Sequence, residues 1–83
     1  MAATAEAQLS KLDELLALLA NAPESEECRK AEEHVQGARN YLLGSMPEEY
    51  ALNLEMTRQA VSGISDENVR GKAESILSKL REK

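Results

Sequence analysis

In PESEECRKAEEHVQGARNYLL (Pro23–Leu43), the residues Cys28, Ala31, Val35, Ala38 and Leu42 recur at alternating steps of three and four. That spacing stacks side chains on one face of an α-helix. The stretch therefore reads as a helix of about five to six turns carrying one apolar seam. Glu24, Glu26 and Glu27 sit at its start, where the positive end of the helix dipole favours carboxylates, and Gly44 stands where a glycine commonly stops a helix. Gly37 falls off the seam, and the pattern places it on the outer side, where glycine weakens a helix without packing in return.

Upstream, Ala5, Leu9, Leu12, Leu16 and Leu19 form a second seam. It begins after Thr4, a suitable N-cap, and ends at Asn21-Ala22-Pro23, because proline disfavours helical geometry in the residue before it. Leu15 and Leu18 widen this apolar surface to about half the helix circumference. Downstream, Ser45 and Glu48 have capping-box spacing, while Pro47 makes Met46 an equally good cap. The third helix carries two apolar rows, Tyr50, Leu54, Thr57 and Val61 on one side and Leu52, Met56 and Ala60 on another. Ser62-Gly63-Ile64-Ser65 interrupts the pattern, with Ser65 or Asp66 as the next cap. A fourth seam follows in Val69, Ala73, Ile76 and Leu80, with Leu77 beside it, and Lys79, Arg81 and Lys83 suit the negative end of that helix.

Four seams joined by short connections predict an all-α fold, a compact antiparallel bundle of four helices forming one domain over residues 1–83. The alternative is that residues 47–62 and 66–82 merge across Gly63, giving three helices with a long C-terminal arm that dimerises. Eighty-three residues bury only about 60% of their unfolded surface, so a second chain completing the core is an open option. A shift of 42 residues aligns Leu12 with Leu54, Leu19 with Val61 and Ala31 with Ala73, no more than helical periodicity produces.

The composition narrows the chemistry. The chain has no Trp or Phe and two tyrosines, Tyr41 and Tyr50, so it lacks aromatic platforms for stacking bases. Net charge is −5, distributed as −6 over residues 1–64 and +1 over residues 65–83, and an acidic body repels polyanions. A lone Cys28 forms no internal disulfide, no Asn-x-Ser/Thr acceptor is present, the start lacks the basic head of a signal peptide, and the longest apolar run is the six residues Leu15 to Ala20. A cytoplasmic protein with no membrane span is expected.

Cys28 and His34 are the sole thiol and imidazole. Six residues apart on a helix they diverge by about 120°, which rules out a dyad on a straight helix. On the seam, Cys28 reads as a small buried apolar residue. His34 shares a flank with Tyr41, and residue 31 is alanine, so the Glu-x-x-His pair of di-iron bundles is absent. The glutamates at 24, 26 and 27, at 32 and 33, and at 48 and 49 read as solvated faces and dipole partners. The single glycines at 37, 44, 63 and 71 make no phosphate-binding loop. No catalytic, metal or cofactor-binding residue is expected, nor a small-molecule substrate.

What exceeds the needs of a core is apolar surface. Leu15, Leu18, Leu52 and Met56 are the expected partner-binding residues of a non-enzymatic protein–protein interaction module, a homo-oligomeric subunit, an adaptor or a chaperone-like component. The alternative is a small nucleic-acid-binding regulator using Lys72, Lys79 and Lys83 of the last helix, although three lysines make a weak patch.

Overall fold

A computed structural model describes residues 5–80, which form α1 (Ala5–Ala20), α2 (Glu26–Leu43), α3 (Pro47–Ser62) and α4 (Glu67–Leu80). All four expected helices are present and separate, with no strand among the described residues. Residues 63–66 break the chain between α3 and α4, so the merged C-terminal arm does not form. The expected Thr4 cap and the charges at Arg81 and Lys83 lie outside the described residues.

The helices close into a ring. α2 packs against α1 and, most extensively, against α3, and α4 completes the ring by touching both α3 and α1. The diagonal pairs do not meet. Gly37 in α2 faces Asn53 in α3, and the two lie equally far from the turn joining their helices, as antiparallel packing requires. The radius of gyration is 11.7 Å, matching the ~11.8 Å of a globule this long.

Local chemistry sets the helix ends. Ser25 caps α2 in an extended conformation, its Oγ accepting the Cys28 N–H at 3.1 Å, so Pro23 and Glu24 precede the helix instead of opening it. At the other end the left-handed residue is Ser45, with φ of 58°, while Gly44 has φ of −86°. The Ser45 N–H donates to the Leu42 carbonyl at 3.2 Å and the Met46 N–H to the Tyr41 carbonyl at 2.9 Å. These are the two bonds of a Schellman ending, displaced one residue beyond the glycine that marked the expected stop. Met46 then caps α3 without a side-chain bond, with Pro47 in the first turn. Asp66 caps α4, its Oδ1 accepting the Val69 N–H at 3.1 Å. The Arg70 guanidinium reaches back to the Ile64 carbonyl at 2.7 Å and ties the α3–α4 connection to the helix that follows it.

The core consists of Leu12, Leu15 and Leu19 from α1; Cys28, Ala31, Val35 and Ala38 from α2; Tyr50, Leu54 and Val61 from α3; and Val69, Ala73, Leu77 and Leu80 from α4. Ile64 joins them from the connection. Among the described residues Thr57 is the one buried polar residue, and its hydroxyl donates to the Asn53 carbonyl at 2.7 Å. In α4 the buried line passes through Leu77, while Ile76 turns toward α1 and is half-buried.

Gly37 corrects the reading of the sequence. It faces α3 and not solvent, and a Cβ there would stand 2.7 Å from Asn53 Oδ1 and 3.3 Å from Asn53 Cγ. Asn53 is itself held, because its Nδ2 donates to the Glu49 carbonyl at 2.9 Å. The missing side chain leaves the space that the Asn53 side chain occupies. Gly71, exposed on α4, has nothing within 4 Å of such a Cβ. Gly71→Ala is therefore expected to stabilise the fold by about 0.5–1 kcal/mol, whereas Gly37→Ala loses that gain to the displaced Asn53. Urea unfolding of the two variants reads the difference as a raised midpoint for Gly71→Ala and no rise for Gly37→Ala.

Candidate interaction surfaces

A ring of four helices directs most leucines inward, so a surface for partners consists of the apolar side chains that the ring leaves outside. Leu15 is not among them. It is fully buried, because α1 receives α2 on one flank and α4 on the other and Leu15 lies with Leu12 and Leu19 on the covered side. It is withdrawn from the expected partner-binding set. Leu18 is half-buried, packed on the core from within and lining a surface hollow from without. Leu52 is 56% exposed and Met56 is half-buried.

The large apolar side chains most open to solvent among the described residues are Leu43 (58%), Leu52 (56%) and Met46 (43%). All three fall within ten residues that straddle the α2–α3 turn. The left-handed step at Ser45 ends α2, and Met46 follows it as the cap of α3, beside Pro47. Met46 borders a half-open hollow of about 530 Å³ whose other walls include Gln8 from α1, Tyr41 and Leu42 from α2, and Tyr50 from α3. Both tyrosines of the chain thus meet at one end of the molecule. Leu43 and Met46 escaped the sequence reading because Leu43 falls beside the α2 seam and Met46 reads as a helix cap. The signal available was Pro47, which fixes where the next helix starts.

A second hollow, of about 590 Å³ and more open, lies between α1 and α4. Its floor is Ala17, Leu18 and Ile76, with Glu14 on the α1 wall and Lys72 on the α4 wall. The Glu14 carboxylate also meets Lys11 Nζ at 3.4 Å, with both side chains partly exposed, an arrangement that contributes little. The ion pair joining two helices among the described residues is Arg39 Nε to Asp13 Oδ1 at 3.0 Å, between α2 and α1.

Chemistry is dispersed. Cys28 is buried in the core and His34 is half-buried on the α2 flank. Among the described residues no group of three His, Cys, Asp or Glu is close enough to hold a metal ion. Glu24 and Glu26 pair with Arg29 and Lys30 at 3.5 and 3.8 Å, as expected of solvated faces. Of the three lysines in the nucleic-acid reading, Lys72 and Lys79 are exposed and Lys83 lies outside the described residues. Among the described residues no helix is long and apolar enough to cross a membrane.

Comparison with known proteins finds no matching family, no similar curated protein and no similar solved structure. The functional reading therefore rests on the surfaces themselves.

The contrast between Leu15 and Leu52 is directly measurable. Leu15→Ala removes a fully buried side chain and is expected to cost about 2–5 kcal/mol, while Leu52→Ala is expected to change stability by less than about 0.5 kcal/mol. Chemical denaturation of both variants checks the assignment of one to the core and the other to the surface.

Proposed function

We propose that this chain is a small helical protein–protein interaction module without catalysis of its own, and that it meets its partner at the end formed by the α2–α3 turn. The observation that carries the reading is that Leu43, Met46 and Leu52, the most exposed large apolar side chains among the described residues, fall within ten residues spanning that turn, and that Met46 borders the hollow walled by Tyr41 and Tyr50. Methionine adapts its shape to varied partners, and tyrosine supplies both contact area and a hydroxyl, a combination common at protein interfaces. Glu48 and Glu49 in the first turn of α3 add an acidic rim that favours a partner with basic residues around an apolar anchor.

Support for this class over an enzyme comes from how the polar groups are used. The described carboxylates with short contacts serve ion pairs or helix caps. The two residues suited to nucleophilic or metal chemistry, Cys28 and His34, stand on different sides of α2.

The test replaces Leu43, Met46 and Leu52 together with serine. The variant is expected to keep its helical circular dichroism and its thermal midpoint, since all three side chains already face solvent, and to lose the proteins that crosslink to the wild-type chain in its own cells. An unchanged crosslinking pattern would remove this end of the bundle from consideration. The pair Leu52→Ser with Met56→Ser separates the outer row of α3 from the turn.

A further inference from the structure

We propose that two copies of this chain associate through the α1–α4 face, with α1 of each copy set against α4 of the other. This concerns a different surface from the α2–α3 turn and stands or falls separately. The groove is floored by Ala17, Leu18 and Ile76, which supply an apolar centre. Leu18 and Ile76 are each half-buried and anchored on the core from behind, so the surface they offer is fixed before association.

Charge identifies the occupant. The chain carries net −5, and like copies repel at most orientations. The charged side chains that line the α1–α4 hollow are one acid and one base, Glu14 on the α1 side and Lys72 on the α4 side. An arrangement that sets α1 of one copy against α4 of its partner therefore brings opposite charges together twice. A two-fold axis in the plane of the face, midway between Glu14 and Lys72, lays the Glu14 of each copy against the Lys72 of the other. The pairs then flank the leucine and isoleucine at the centre, the order of charged rim and apolar middle typical of protein interfaces. Among the described residues Lys72 forms no ion pair, and Glu14 forms only its open contact with Lys11.

The test uses charge reversal. Wild-type protein is followed by sedimentation over a concentration series and is expected to move from 9.1 kDa toward twice that mass. Glu14→Lys alone faces lysine with lysine, and Lys72→Glu alone faces glutamate with glutamate. Each is expected to weaken association by about tenfold or more. An equimolar mixture of the two variants restores both opposite-charge pairs, and it is expected to form a mixed dimer at concentrations where neither variant pairs with itself. Both positions are exposed, so circular dichroism should show each variant folded. Three outcomes overturn the proposal: a wild-type chain that stays monomeric throughout, a wild-type dimer indifferent to either reversal, or a mixture that associates no better than its parts.

Discussion

The packing of α2 on α3 is the most extensive contact between helices in the bundle. Gly37 leaves room in it for Asn53, which occupies the space a side chain would fill while its amide bonds the Glu49 carbonyl and its own carbonyl accepts the Thr57 hydroxyl. The buried faces on either side are lined by small residues, Ala31 and Ala38 on α2 and Thr57 on α3, so the approach is maintained along the pair. α1 and α4 then bring the larger leucines, Leu12, Leu15, Leu77 and Leu80, to the remaining sides. Small residues determine the distance between α2 and α3, and large ones fill what remains.

Periodicity made most of this architecture legible. The α2 seam at Cys28, Ala31, Val35 and Ala38 and the α3 row at Tyr50, Leu54, Thr57 and Val61 are buried as their spacing requires. The features that escaped depend on relations between helices. Gly37 lies off its own seam and gains its meaning from Asn53, sixteen residues further on in another helix. Ile64 belongs to no periodic run and reads as a break, yet it is 2% exposed, drawn into the core from the turn that Arg70 closes. The substitution of Leu77 for Ile76 on the buried line of α4 follows from that helix packing against two neighbours, which rotates its inner stripe. For the same reason Leu15, which looked like surplus surface beside a narrow seam, became core once α1 had a neighbour on each flank.

The candidate surfaces were legible only in part. The sequence pointed to an excess of apolar residues, and Leu18, Leu52 and Met56 do keep exposed area. The α2–α3 turn was missed because Leu43 lies beside the α2 seam and Met46 reads as a helix cap, so neither counts as surplus surface. The chain closes its own core: its accessible surface of 5185 Å² is near the ~4,900 Å² exposed by a folded monomer of this mass. The apolar side chains outside the core are therefore not needed to hold the fold, and they are free to serve association.

Native-state amide hydrogen exchange addresses the role given to the α2–α3 pair. Exchange governed by global unfolding marks the segments that open last. If the close approach at Gly37 is the cohesive element, the slowest amides lie between Ala31 and Ala38 on α2 and between Leu54 and Val61 on α3, with α1 and α4 exchanging through lower-energy openings. Slowest exchange centred on α1 and α4, with α2 and α3 opening first, would contradict the account.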